Sequence, residues 1–382
     1  MAATPHVLVL GLGITGSSIA ATLAESGVRV TAVEQFEPLH DRGSSHGDTR
    51  IFRRIPREGP AYVEMAMASW DGWQRWSQMA GESLLVDCGG IDAGPSGSGL
   101  VAASEQLSRF YGHPCQMLTG AAFNAKHPRF NLPPAWDVAF QARSGFVRPD
   151  ATLAFLHKLA RSHHARLLTN ARVTDVRAGK CGVTIRTVHE TIHGDILIVA
   201  AGSWLPKLLP NLHVSLTTER RVIAWFRPEA NGVEDDRSLP IFCLDSEGGW
   251  YGMPTPDGTL KIGHDKHLDE KIDPDDPTAQ PGPRDAEKLV PCIDRYFNGF
   301  IPRPAAMKAC IYTLTPDRGF IIDRHPDHEN MIVFSCCSGH GFKYAPAYGS
   351  IAVDLVRNRP RPDLGVFGLN RTGPPPVRFT DR

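Results

Sequence analysis

Short apolar runs alternate along the chain with glycine-broken turns and with stretches of helical periodicity. Val7 to Leu10 is long enough for one short buried strand. It meets Gly11-Leu12-Gly13-Ile14-Thr15-Gly16, after which the periodicity predicts a helix to Glu25, stopped by Gly27. Val28 to Val33 reads as a second strand that closes on Glu34. Ala61 to Met79 predicts an amphipathic helix, and Trp70, Trp73 and Trp76 at three-residue spacing read as its core stripe. From Ser83 to about Arg143, apolar segments broken by Gly and Pro predict part of a mixed sheet. Pro149 to His163 is again helical, Val183 to Val188 alternates as a strand should, and Ile196 to Ala201 is an apolar strand meeting Gly202. Further strands are expected at Leu216 to Trp225, Trp250 to Gly252 and Met331 to Phe334, with a helix over Ala345 to Val356. This order predicts an α/β protein.

At 382 residues the chain can build a large core and two packed domains. Lys plus Arg and Asp plus Glu number 41 each, so no basic field exists to neutralise nucleic-acid phosphates or anionic lipid. Neither nucleic acid nor membrane is expected as a partner, and no apolar run approaches bilayer length. No Lys or Arg precedes Arg29, so the apolar N-terminal run does not read as a secretion signal. The eight cysteines contain no CxxC pair and read as reduced thiols, which fits a cytoplasmic protein. Cys336 and Cys337 end a strand and read as core. His325 and His328 flank a proline turn without a third ligand, so no metal is expected. The tail RTGPPPVRFTDR reads as an irregular surface segment.

Candidate chemistry begins at the first turn. Gly11 permits its tightness, Gly13 lets backbone approach a pyrophosphate, and Gly16 lets helix and strand pack closely. The helix start then faces the phosphates, and Glu34 stands where an acid binds ribose hydroxyls. A dinucleotide is therefore expected, with FAD and NAD both open at this point. The segment GSSHGDTRIFRR, residues 43–54, is polar and then apolar-cationic. Were it to begin a helical turn, Arg50 and Arg53 would share one face. Lys261 stands in the strand-like TLKIGHD, where a lysine ordinarily points to water. Ser338-Gly339-His340-Gly341-Phe342-Lys343 joins a strand to a helix, placing backbone N–H groups and a cation together, a setting suited to a group that becomes negative.

The ordered motifs GS-x-HGDTR, CIYT, FIIDRHP and SGHGFK resemble the monomeric sarcosine oxidase and N-methyltryptophan oxidase family of flavin amine oxidases, over Val7 to about Val356. The resemblance implies FAD bound covalently through Cys310, with Gly43, Ser44, His46, Gly47, Asp48, Thr49 and Arg50 running along the flavin. It implies that Arg50 covers the ring and that Arg53, with Lys343, holds a substrate carboxylate. His340 and Tyr312 would flank the amine, Gly339 and Gly341 would adjoin the flavin, and Lys261 would help dioxygen react. Val173 would contact the adenine side and Gly202 would lie near the dinucleotide. The family commonly has a histidine where this chain has Asp265, which bears on the substrate side.

The resemblance also implies an FAD-binding Rossmann-type domain from residues 1–82, 145–207 and 314–382, and a mixed-sheet substrate domain from 83–144 and 208–313, with the active site between them. The expected reaction is oxidation of a secondary amine, an N-methyl amino acid, to imine and then aldehyde and free amino acid, with hydrogen peroxide formed from dioxygen by a monomeric enzyme. Oxidation of a glycated or cyclic amino acid, transfer of electrons to another acceptor, and a catalytically silent FAD-binding protein are the alternatives. The presence of Arg53, Lys343 and Cys310 together argues against the silent form.

Overall fold

The computed structural model describes residues 4–229, 239–276 and 280–371. The chain divides into two compact units. The first is formed by the described parts of Met1–Gly47, Pro149–Thr218 and Tyr312–Pro375; the second by those of Asp48–Arg148 and Glu219–Ile311.

The first unit is built on a six-stranded sheet in the order Ile321–His325, His328–Ser335, Ile196–Val199, His6–Leu10, Arg29–Val33, Arg166–Leu168. All neighbouring pairs are parallel except the Ile321–His325 and His328–Ser335 hairpin at one edge. The central strands are apolar throughout because both faces are covered, as parallel sheets require. Helices Ile14–Glu25, Pro149–Ser162 and Ala345–Val356 pack in this unit, the first touching both others. On the other face, Leu8, Leu10, Leu197, Val199 and Val333 meet Val183, Ile185 and Ile192 from a three-stranded antiparallel sheet.

The second unit holds an eight-stranded mixed sheet in the order Phe300–Leu314, Thr217–Pro228, Leu260–His264, Trp250–Pro254, Ile241–Leu244, Gly90–Gly94, Asp137–Gln141, Gln116–Thr119. Helix Pro283–Tyr296 closes its core with Leu289, Cys292 and Ile293 against Phe242, Trp250 and Ile262. The tryptophan stripe falls inside Pro60–Ala80, and Trp70, Trp73 and Trp76 are buried.

One expectation changes here. Residues 50–53 do not begin a helical turn: they form a strand antiparallel to Ser144–Val147. The β-branched and aromatic Ile51 and Phe52 gain sheet hydrogen bonds and burial that a polar turn would forgo. Positions three apart on a strand point to opposite faces, so Arg50 and Arg53 do not share one. Residues 50–53 and 144–147, so paired, both lie in the second unit. The tail 372–382 lies outside the described residues.

Candidate functional site

In the first unit the turn after His6–Leu10 is shaped by glycines that no other residue could replace. Gly11 has φ +99°, and a Cβ there would lie 2.5 Å from Ala200 O. A Cβ on Gly16 would lie 1.9 Å from Gly11 O, so the helix approaches the strand to backbone contact. Gly13 caps helix Ile14–Glu25 without a side chain, and the first turn carries no acid. The helix start therefore presents backbone N–H groups and their partial positive charge.

Glu34 is buried beneath this turn. Its carboxylate accepts from Leu12 N at 2.9 Å and from Phe36 N at 3.2 Å, and His40 Nε2 lies 3.6 Å away. Burial pulls its pKa up, but the hydrogen bonds from His40, Leu12 and Phe36 outweigh it and the net shift is down. Ser17 Oγ donates to Leu12 O at 2.7 Å and meets His157 Nε2 at 2.9 Å, bracing the turn from the other side. Burial lowers the pKa of His157, with Arg161 adding to it, so the ring favours its neutral form.

The segment 43–47 lies across the helix start. Ser45, the position that the motif leaves open, accepts from Ile14 N at 3.0 Å, and a Cβ on Gly13 would come within 3.1 Å of its Oγ. Sequence reasoning passed over Ser45, although a helix lacking its own Ser, Thr or Asp cap calls for an acceptor from elsewhere. Ser44 meets Cys337 Sγ at 3.9 Å, and His46 is buried. Gly202 has φ +52° after Ile196–Val199, and Val173 starts the antiparallel strand Val173–Gly179 against the same core.

The second glycine turn also belongs to this unit. Gly339 has φ +80°, and a Cβ there would strike the Tyr312 ring at 2.5 Å; one on Gly341 would meet Cys336 O at 1.7 Å. His340 stacks on Phe320 at 4.7 Å between centroids. Lys343 is buried with its Nζ 4.8 Å from the Tyr344 ring centroid. Tyr312, Gly339, His340, Gly341 and Lys343 are thus brought into one neighbourhood.

In the second unit the chemistry lies in buried charges. Lys261, on Leu260–His264, is 1% exposed rather than solvated. Its Nζ donates to Thr49 O at 2.8 Å and lies 5.2 Å from the Trp225 ring centroid. The same Thr49 carbonyl accepts from Arg50 Nη1 at 2.9 Å. Arg53 is buried: its Nη1 donates to Asp92 Oδ1 at 2.8 Å, and Nη2 lies 3.6 Å from Glu58 Oε1. Asp265 pairs with Arg57 at 2.9 Å. Burial and Arg53 push the Arg57 pKa down, but Asp265, Cys243 and Glu58 outweigh them and raise it. Burial drives the Cys243 thiol up to about 11, so it stays protonated.

Cys310 is a buried thiol, in no disulfide, on Phe300–Leu314. Sequence reasoning missed Asp92, Glu58 and Arg57, because a lone acid or base carries no periodic signal of its ion-pair partner. It also missed a second buried cluster, in which Asp285 accepts from Arg220 at 2.8 Å and from His267 Nε2 at 2.7 Å and ties helix Pro283–Tyr296 to the sheet.

The helix start and the glycine turn offer backbone N–H donors to an FAD pyrophosphate, and the buried Glu34 at the second strand end offers an acceptor to ribose hydroxyls, so the first unit fits a dinucleotide. Residues 6–355 match the sequence model of the FAD dependent oxidoreductase family, and the chain belongs to that family. It is 32% identical to the monomeric sarcosine oxidase of Bacillus sp. (strain B-0618), over 96% of this chain and 95% of that protein. It is 30% identical to the N-methyl-L-tryptophan oxidase of Yersinia pestis (strain Pestoides F), over 96% of this chain and 98% of the relative. Among solved structures, the open form of NikD, described as an unusual amino acid oxidase essential for nikkomycin biosynthesis, superposes with a TM-score of 0.84 at 20% identity, covering 95% of this chain and 97% of that one. Glycine oxidase from Geobacillus kaustophilus gives 0.79 at 19% identity, covering 97% and 99%. These structures share the fold. No described helix is long and apolar enough to cross a membrane.

Proposed function

We propose that the protein is an amine oxidase that takes an N-methyl amino acid, holds FAD covalently through Cys310, and passes the electrons to dioxygen to form hydrogen peroxide. The first unit serves as the FAD-binding domain and the second as the substrate domain. FAD, when bound, supplies a two-electron acceptor for hydride leaving the carbon next to the amine nitrogen. The chain's own residues bind, orient and polarise.

The observation that carries this reading is Lys261. Long cationic side chains on strands keep their heads in water, yet this ammonium is buried against a carbonyl oxygen and an indole face. Such a fixed positive charge stabilises negative charge developing on dioxygen. Arg53 and Lys343 hold the substrate carboxylate, the guanidinium by parallel hydrogen bonds that orient as well as attract. Tyr312 and His340 flank the amine, which must be neutral to release hydride, and Arg50 covers the flavin ring. Gly11, Gly13, Gly16, Glu34, Ser44, His46, Thr49, Val173, Gly202, Gly339 and Gly341 line the cofactor.

The two relatives named for sarcosine and N-methyl-L-tryptophan support this substrate class. A second reading, a glycated or cyclic amino acid, rests on Asp265, which stands where the resembled family commonly has a histidine and pairs with Arg57. The eight cysteines, in no disulfide, are consistent with a cytoplasmic enzyme, and the resemblance with a monomer. A peroxide assay across N-methylated, cyclic and glycated amino acids separates the readings. N-methyl amino acids turning over fastest supports the first, and peroxide from the other classes alone sinks it. Electron transfer only to a quinone or dye, with no peroxide under air, would sink the oxidase assignment. For the attachment, acid precipitation of wild type should carry the yellow colour into the pellet, and that of Cys310→Ala should leave it in the supernatant.

A further inference from the structure

Arg53 does not stand alone in the second unit. Its Nη1 donates to Asp92 Oδ1 at 2.8 Å, and Asp92 is 1% exposed. The other Asp92 oxygen accepts from the buried Ser104 hydroxyl, which fixes the carboxylate in place. Glu58, also buried, stands 3.6 Å from Nη2. One guanidinium therefore faces two buried carboxylates. A third carboxylate approaching the same cation would meet their repulsion where little water screens it.

We infer that Asp92 is a specificity-determining residue: by occupying the Arg53 guanidinium, it lowers the affinity of the site for carboxylate-bearing substrates and shifts selection to the rest of the amine. The inference rests on the reading above that Arg53 faces the substrate carboxylate. Asp92 is a positioning residue, acting through Arg53 alone. Asp92→Asn tests it, since the amide oxygen can still accept from Arg53 and the amide nitrogen can donate to Ser104, while the charge is gone.

The measurement is calorimetric binding to the holoenzyme of methoxyacetate, an unreactive ether analogue, and of its uncharged amide. Asp92→Asn should bind methoxyacetate about tenfold more tightly than wild type and the amide equally well. Adding Arg53→Met to that variant should remove the gain. If Asp92→Asn brings no gain while the double variant loses methoxyacetate, the inference is overturned and the role of Arg53 stands. If neither variant changes methoxyacetate binding, the role of Arg53 falls and the inference with it. Should Asp92→Asn not fold, wild type and Arg53→Met decide. A wild-type preference for methoxyacetate over its amide that is below about tenfold and is abolished by Arg53→Met supports the inference; one approaching the hundredfold of an unhindered charged clamp, or one that Arg53→Met leaves unchanged, overturns it.

Discussion

The two units recruit different parts of the polypeptide. In the first, the recognisable chemistry is backbone: N–H groups at a helix start and glycines pressed against carbonyl oxygens at Gly11, Gly16 and Gly341. In the second it is side-chain charge withdrawn from water at Lys261, Arg53, Glu58 and Asp92. Backbone geometry is written locally, in residues a few positions apart. A buried ion pair joins residues such as 53 and 92, whose pairing no local pattern announces.

The largest expected effect falls on the second unit. Lys261→Met keeps length and removes charge, so reoxidation of the reduced enzyme should slow by about a hundredfold or more, while anaerobic reduction by substrate changes far less. Stopped-flow measurement of both half-reactions separates them, and an unchanged reoxidation rate rules the dioxygen role out. Next come the carboxylate holders. Lys343→Ala should weaken amino-acid substrates about tenfold to a hundredfold relative to matched amines without a carboxylate, at constant flavin content. Equal losses for both would assign Lys343 to flavin electrostatics or folding.

The first glycine turn should answer in stability rather than rate. Gly16→Ala places a methyl 1.9 Å from Gly11 O, and the forced separation of helix from strand should cost about 1–3 kcal/mol and reduce flavin retention. Thermal melts with and without added FAD check this, and an undisturbed melt would mean that the close approach is dispensable. The smallest effect is a pH slope. His264 Nε2 donates to Glu247 O and the ring packs on Trp250; burial first, then Lys288, pushes its pKa down to about 4 from 6.5. The unfolded chain then binds a proton that the folded chain refuses, so His264 lowers stability as pH falls from about 6.5 to about 4. Replacing it with Gln should flatten that part of the stability profile.

Much of the fold was legible in the sequence because apolar runs and glycines report it directly. The strand at His6–Leu10, its helix, and the strand–turn–helix ending in Ala345–Val356 fell where periodicity put them. The stretch 50–53 was not legible. Its arginines and polar lead-in resemble a turn, and only pairing with Ser144–Val147, some ninety residues on, makes it a strand. The same long-range dependence hid Asp92 behind Arg53. Lys261 was legible as a position, while its burial followed from Thr49 and Trp225, which no spacing relates to it.

The most direct test of the central claim is reduction and reoxidation of the purified protein in one cuvette. Under nitrogen, an N-methyl amino acid should bleach the flavin, and admission of air should restore the colour with peroxide equal to the amine consumed. A flavin that no amine bleaches, or one that stays bleached in air, would contradict it.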